Sequence, residues 1–329
     1  MRKARKLEYM EFFKDKIISI IDVLAAPLTY LSSVWLWIVR RMNIKRMAVS
    51  RKIFRSVGVL PIRDHYYEPL FDTKHLRYSL RKDRTLPGID FNIKEQLDIL
   101  GRFKFNDELE RIPKEKTDKL EFYYHNGRFG CCDAQYLYNM IRLFKPARMI
   151  EIGSGHSTLM AVSAVKANRC QYPDYHCEHV CIEPYEYSWL ENLDVKVIRK
   201  RVEELDEEIF SKLNKGDILF IDSSHVIRPQ GDLLFEYLEI LPCLKSGVLV
   251  HIHDIFTPKD YLDEWVSENI RLWNEQYLLE AFLTFNNEYK IIGALNYLVH
   301  HHFPEISKAC PILLDEPHKE PCSFWIARR

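Results

Sequence analysis

The sequence predicts an α/β protein: a doubly wound, mostly parallel sheet preceded by an N-terminal helical and accessory region. Three observations predict it. From about residue 121, short apolar runs alternate with segments of helical periodicity, the pattern of βαβ units. Four of the apolar runs end in acidic residues, at the carboxyl ends where open parallel sheets bind ligands. The N-terminal stretch Ile17–Val39 is apolar and stands apart from that alternation.

The elements follow in chain order. Asp133–Phe144 is helical, with Ala134, Leu137, Tyr138 and Ile141 on one face. Strand Arg148–Ile152 comes next, then helix Thr158–Ala167, strand His179–Ile182 and strand Val195–Arg199. Helix Val202–Leu213, strand Asp217–Ile221, helix Leu233–Leu241 and strand Val248–His253 continue the alternation. Helix Asn274–Phe285 and strands Tyr289–Leu295 and Ser323–Ala327 complete it, with room for an antiparallel closing strand. Before these, Asn92–Phe103 reads as an amphipathic helix and Val57–Ile62 as an extended piece. The organisation is therefore residues 1–46, an amphipathic membrane-associated helix with basic flanks; 47–120, an accessory lid region; and 121–329, the α/β domain.

The most informative segment is Ile150-Glu151-Ile152-Gly153-Ser154-Gly155-His156-Ser157-Thr158. It is a buried strand, a glycine turn and a helix start. Gly153 and Gly155 allow a tight turn and close approach of a ligand. Ser157 and Thr158 suit a first helical turn. A dinucleotide fingerprint would place a third glycine where Thr158 stands. Glu151 adds a carboxylate, which suits an amine-bearing ligand better than a phosphate. Later strands end in Glu183-Pro184, in Asp222-Ser223-Ser224-His225 and in His251-Ile252-His253-Asp254. Four carboxylates at four strand ends converge on one crevice.

Composition narrows the class. The chain has 329 residues, 47% of them hydrophobic, and a formal net charge of zero, so bulk charge offers no case for nucleic acid. Eight cysteines show no paired metal spacing. Cys170, Cys177 and Cys181, with His176 and His179 between them, match no standard zinc pattern, and reduced, mostly buried thiols are the reading. Ile17–Val39 has 23 residues without Lys or Arg and with one acid, Asp22. A helix of that length spans about 35 Å, enough for a bilayer. Ser19, Asp22, Thr29 and Ser33 fall on one face, and basic residues flank both ends: Arg2, Lys3, Arg5, Lys6, Lys14 and Lys16 before, Arg40, Arg41, Lys45, Arg46, Arg51 and Lys52 after. Symmetric basic flanks and a polar stripe fit a helix lying in an anionic membrane surface. The plainer alternative is a helix packed on the α/β domain.

The residue order resembles a class I S-adenosylmethionine-dependent methyltransferase, with a Rossmann-like sheet. More narrowly it resembles the bacterial methyltransferase-domain-24 family. The matching segments are Asn126-Gly127-Arg128-Phe129, Asp133-Ala134, Glu151–Thr158, Asp217–His225, His251–Phe256, Trp273-Asn274-Glu275 and Ser323-Phe324-Trp325-Ile326. The resemblance implies that Glu151 and the Gly153–Gly155 backbone hold the amino-acid end of S-adenosyl-L-methionine. It implies Glu183 at the ribose hydroxyls, with Ser154, Ser157 and Asp222 around the same cofactor. Adenine is flanked by the residues after the third strand, here Arg201-Val202-Glu203, which depart from the family pattern.

Catalysis is left with two readings. In catechol-type and macrolide-sugar O-methyltransferases, an acid after strand four and an acidic or amide pair after strand five bind a divalent metal. Asp222, His253 and Asp254 stand at those places, and the histidine shifts preference from magnesium toward manganese, iron or zinc. The other reading is metal-free, with His253 as general base and Asp254 beside it. His225 is a second base candidate, and His251 reads as a core histidine. Arg63-Asp64-His65-Tyr66-Tyr67 either contact the acceptor or pack the accessory layer. The function expected is O-methylation of a small-molecule or glycan hydroxyl, lipid-linked acceptors included, in the cytoplasm on the inner face of the plasma membrane. Two alternatives stand beside it: a metal-dependent oxygenase on the same sheet, and a non-catalytic membrane-associated scaffold.

Overall fold

A computed structural model describes residues 2–316 and 318–329, with side chains from residue 13 onward except residue 131. The expected basic flank residues Arg2, Lys3, Arg5 and Lys6 therefore have side chains outside the described set. The chain packs as two compact units, Met1–Arg77 and Tyr78–Arg329. The expected accessory segment 47–120 straddles that division.

The first unit is led by one helix, Arg2–Arg41, which runs through Pro27 without a break. Its stretch Phe13–Arg41 is long and apolar enough to cross a membrane, and none of its most apolar window is buried. Helix Ala48–Val57 follows and is closed by Gly58 in the left-handed conformation. The extended piece expected from Val57 thus begins two residues later, because Val57 completes a basic amphipathic helix. Arg40 makes a two-pronged ion pair with Glu68 at 2.6 and 2.8 Å.

The second unit is built on a seven-stranded sheet. The strands are β1 (Arg148–Ile152), β2 (Glu178–Ile182), β3 (Lys196–Ile198), β4 (Ile218–Ile221), β5 (Leu249–Ile252), β6 (Tyr289–Ala294) and β7 (Phe324–Arg328). Their order is β3-β2-β1-β4-β5-β7-β6. The ladders from β3 to β5 are parallel; β7 runs antiparallel between β5 and β6. This is the Rossmann-like sheet the sequence predicts, and the direction of connection reverses between β1 and β4, the switch point where a ligand crevice opens.

Alternation along the strands sorts side chains into two cores. Ile150, Ile152, Leu219, Ile221, Val250 and Ile252 face one way, where Leu233, Tyr237, Leu279 and Leu283 cover them. Met149, Ile218, Phe220 and Leu249 face the other way, under helices Cys131–Phe144 and His156–Gln171. Helix Cys131–Phe144 stops at Lys145, left-handed at φ 50°, just before Pro146, which cannot continue a helix.

Three elements differ from expectation. Val202–Leu213 is a 3₁₀ turn Val202–Glu204 and a short helix Glu208–Ser211, separated by an extended Leu205. The Asp206 side chain accepts the Glu208 amide hydrogen at 2.9 Å, a local bond that competes with helix. Helix Leu233–Leu241 is longer and carries a π-helical turn, Glu236–Ile240, between Asp232–Phe235 and Leu241–Cys243. Helices Leu295–His301 and Phe303–Ala309 were not foreseen, since the first abuts β6 with no turn residues to announce it.

Gly153 is the residue the sheet tolerates least in any other form. Its φ is +76°, and a Cβ there would sit 1.8 Å from the backbone oxygen of Asp222. Gly153→Ala is therefore expected to destabilise the second unit by at least about 3 kcal/mol, combining left-handed strain with a backbone clash. Urea unfolding of the two proteins checks this; equal midpoints would show the turn is not so confined.

Candidate active site

The carboxyl ends of β1, β2, β4 and β5 open onto two adjoining cavities. One, of about 420 Å3, is lined by Glu183, Pro184, Arg201, Val202, Glu203 and Asp222 among others. The second, of about 450 Å3, is lined by the turn Gly153–Ser157, by Asp222, His253 and Asp254, and by Tyr187, Trp265 and Trp273. Gly153, Glu183, Glu186 and Asp222 belong to both, so they form the waist of one cleft. A larger cavity, about 910 Å3, lies at the opposite end of the sheet around Lys215, Gly247 and Arg328, and holds none of the expected site residues.

Each strand end brings its side chain there by a simple rule. β1 and β4 are locked side by side, with the Asp222 amide donating to the Ile152 carbonyl at 2.8 Å. The Gly153 amide donates to the Ile182 carbonyl at 3.0 Å, which ties the turn to β2. Helix His156–Gln171 begins beyond it, and the Gly155 amide donates to the Thr158 hydroxyl at 3.1 Å. Glu183 Oε1 accepts the amides of Tyr185 and Glu186 at 2.9 Å each, which holds the carboxylate at the waist. Its other oxygen receives the Ser154 amide at 3.4 Å.

A family model described as Methyltransferase domain matches residues 150–255, the span from β1 to just beyond β5. An uncharacterized protein of Archaeoglobus fulgidus is 30% identical over 178 residues, which cover 50% of this chain and 78% of that protein. The chain belongs to this methyltransferase family. It is a class I S-adenosylmethionine-dependent enzyme by family and fold. The O-methyltransferase from Bacillus cereus, solved in complex with SAH, overlaps 72% of this chain and 91% of its own, at 12% identity and a TM-score of 0.36. An overlap that loose adds nothing to the assignment.

In the methyltransferase, Gly153, Ser154, Gly155, Ser157, Glu183, Asp222, His253 and Asp254 all line the cleft. Two expected residues do not. Glu151 is fully buried beneath the turn, where its Oε2 lies 2.8 Å from His179 Nε2. Strand alternation is the reason: Glu151 shares the face of Met149, opposite Ile150 and Ile152, and points into the helical layer. It lines neither cavity, and its Oε1 is buried with no hydrogen-bond partner among the described residues. Cys181 Sγ packs 3.5 Å from the same oxygen. Cys170 is exposed and Cys177 and Cys181 are buried, all of them free thiols.

His225 is the second correction. Its backbone is left-handed, at φ 59°, and turns the ring inward. Nδ1 lies 2.7 Å from Glu275 Oε2, and Nε2 lies 3.3 Å from Asp222 Oδ1 and 3.4 Å from Asp254 Oδ2. Burial by itself would lower the pKa of this ring, but hydrogen bonds to Asp222 and Glu275 outweigh it and hold the ring cationic well above the ordinary histidine range. Both ring nitrogens are engaged by carboxylates, and His225 does not line either cavity. It serves as a charged bridge between strand ends.

The expected metal trio is divided by that bridge. Asp254 shares one donor group with Asp222 and His225 and another with His253 and Cys322. A protonated imidazole donates to carboxylates and cannot ligate a metal. In this arrangement the His225 ring balances Asp222 and Asp254, while donor atoms of Asp222, His225 and Asp254 lie within 4.8 Å of one another.

His253 follows β5, its amide donating to the Ile221 carbonyl at 2.9 Å. Its Nε2 lies 3.5 Å from Cys322 Sγ and 3.7 Å from Asp254 Oδ1. Burial opposes its charge, yet Asp254, Asp222 and Asp133 raise its pKa above the ordinary value despite His225 nearby. His251, on the same strand face, is fully buried, stacked on Phe220 at 3.9 Å and 2.8 Å from the Ser323 hydroxyl. Burial and His253 push its pKa well down, so it is a neutral core histidine. Tyr187, Trp265 and Arg271 line the cleft without having been expected there, and Asp133 and Glu275, which the resemblance had marked only as matching residues, act from outside it. The Asp133 carboxylate accepts the amides of Cys322 and Ser323 at 3.1 and 2.8 Å and so sets the chain that backs His253.

The sign of the His225 effect gives a stability prediction. A raised folded pKa means the stabilisation is complete below about pH 6.5 and is lost as pH rises through the folded value. Stability is therefore expected to fall on the alkaline side, and His225→Gln to flatten that fall. Urea melts of both proteins from pH 6 to pH 10 test it; identical slopes would refute the bridge.

Proposed function

We propose that the protein O-methylates a hydroxyl acceptor without a metal, using His253 as general base, while its N-terminal helix holds it at a membrane surface. One observation carries the catalytic part: the glycine turn, Glu183, Asp222, His253 and Asp254 line a single cleft. Polar atoms in or beside that cleft suit S-adenosyl-L-methionine. The Ser154 hydroxyl is buried with no hydrogen-bond partner among the described residues, and Glu183 keeps an oxygen with one long contact. When bound, the cofactor supplies a methyl group on a sulfonium and leaves as the neutral thioether S-adenosylhomocysteine.

The chain has to align the nucleophile and remove one proton. Glu183 faces the ribose hydroxyls, and Arg201, Val202 and Glu203 line the far end of the cleft, where adenine fits. Asp222 stands at the waist, its carboxyl held below the usual range because His253 and His225 overcome the effect of burial. The His253 imidazole takes the acceptor's hydroxyl proton as the oxygen–methyl bond forms and the sulfur–methyl bond breaks. Asp254, Asp222 and Asp133 favour the imidazolium produced.

For the membrane, support comes from helix Arg2–Arg41, whose apolar residues Ile20, Val23, Leu24, Leu28 and Leu31 are exposed. Exposed apolar surface of this extent calls for a partner, and basic residues on both flanks suit anionic headgroups. An inner-leaflet position in the cytoplasm, and a glycan or lipid-linked acceptor, follow from that reading.

The expected outcomes concern the cofactor site, the base and the membrane helix. Glu183→Ala lowers S-adenosylhomocysteine affinity by about 10- to 100-fold in calorimetry, the loss of a charged hydrogen-bond acceptor; unchanged affinity would remove Glu183 from the site. His253→Asn lowers labelled-methyl transfer into a membrane extract by about 10²–10⁴-fold with cofactor affinity intact. In the wild type that transfer falls as pH drops, with a midpoint above the ordinary histidine value, because the base must be neutral; EDTA leaves it unchanged. Loss of activity in EDTA, restored by manganese, would favour the metal reading. Finally, the full chain co-sediments with phosphatidylserine vesicles, and deletion of residues 1–41 abolishes this while sparing S-adenosylhomocysteine binding. Retained sedimentation would defeat the membrane proposal.

A further inference from the structure

The cleft lining holds an arginine with no ion pair among the described residues. Arg271 lies between two indoles, its guanidinium carbon 4.3 Å from the Trp265 ring centre and 4.4 Å from that of Trp273. The indoles meet edge to face, 5.2 Å apart at 78°. Two backbone features put the side chain there. The Arg271 amide donates to the Trp265 carbonyl at 2.9 Å, and Ile270 takes a left-handed φ of 48° to close the turn. All three side chains line the same 450 Å3 cavity as His253 and Asp254.

The guanidinium makes neither an ion pair nor a hydrogen bond among the described residues. This sets it apart from Arg84, Arg142 and Arg199, each of which is bonded to a carboxylate. With the indoles at 78°, a flat guanidinium stacks face-on against at most one of them, and the N–H donors directed away from both rings remain unspent. A cation packed against two aromatic rings has already lost part of its rotamer freedom, so less ordering cost remains when it meets an anion. Arg128, likewise without an ion pair among the described residues, lines the same cavity and adds positive charge. None of the acids that line the cavity is ion-paired with Arg271 among the described residues. Trp273 also packs against His225 at 4.3 Å, which connects the arginine to the Asp222–Asp254 bridge.

We propose that Arg271 is a specificity-determining residue that binds an oxyanion on the methyl acceptor. The acceptor is then a hydroxyl compound that also carries a phosphate or carboxylate, gripped in two-pronged fashion by the guanidinium while its hydroxyl faces His253. This rests on the methyltransferase reading of the cleft, and it narrows the substrate class from any hydroxyl to an anionic one.

The test uses the full chain saturated with S-adenosylhomocysteine, with the Arg271 Nε–Hε signal followed by NMR during titration with inorganic phosphate or acetate. Potassium chloride at equal ionic strength is the control. A saturable shift with phosphate or acetate, absent with chloride and lost in Arg271→Gln, is the expected result. Tighter phosphate assigns a phosphate-bearing acceptor; acetate at least as tight assigns a carboxylate-bearing one. Arg271→Lys guards against a folding defect. It should keep S-adenosylhomocysteine affinity within about twofold and lose at least about tenfold in anion affinity, since an ammonium cannot grip two oxygens at once. No saturable shift in the wild type, or equal anion affinity in Arg271→Lys, overturns the proposal. So does anion binding that S-adenosylhomocysteine abolishes, because Arg271 would then read the cofactor's own carboxylate. Failure of the wild type to bind S-adenosylhomocysteine in calorimetry is a separate result and removes the underlying functional reading instead.

Discussion

Asp222 and Asp254 hang from neighbouring strand ends, and two carboxylates so close repel one another. The His225 imidazolium makes their proximity tolerable, reaching both from one nitrogen while the other meets Glu275. The Tyr237 hydroxyl donates to the second Glu275 oxygen at 3.1 Å, carrying the network into the π-helical turn Glu236–Ile240. Three carboxylates around one cation inside a buried region are stable only with good geometry and satisfied hydrogen bonds. The waist of the cleft, the placement of His253 and the packing of Trp273 all depend on that arrangement.

The same bridge is what supports the metal-free reading proposed for catalysis. A metal and a protonated ring are alternative ways of balancing the same acids, and here the ring already bonds to both of them. His253 lines the cleft without a carboxylate hydrogen bond among the described residues to immobilise it. Asp133 acts from the other side by fixing the Cys322–Ser323 backbone against β5. Neither Asp133 nor Glu275 touches the cleft, yet both set where His253 and Asp254 stand.

Much of the sheet was legible in the residues. β1 matches its expected bounds, and β2, β4, β5 and β6 lie within one residue of them, because short β-rich runs bounded by glycine and acids leave little ambiguity. The glycine turn and the acids after β2, β4 and β5 were legible for the same reason, since each follows its strand directly. The broken helix after β3 was not, because a local Asp206 bond decided it. Glu151 was placed one layer too high: the pattern marks it as a strand-end acid but does not say which face takes its side chain.

By itself, then, the sequence determined the fold class, the position of the cleft at the strand ends and the kind of ligand its turn accepts. These follow from local periodicity and from the steric demand at Gly153. The tertiary structure alone decided how the acids are charge-balanced, that His225 bridges them, and that Arg271 lands between Trp265 and Trp273. Those outcomes depend on contacts between residues up to about fifty positions apart, such as His225 with Glu275. No local pattern encodes such contacts, because the distance between two side chains is set by the packing of whole elements.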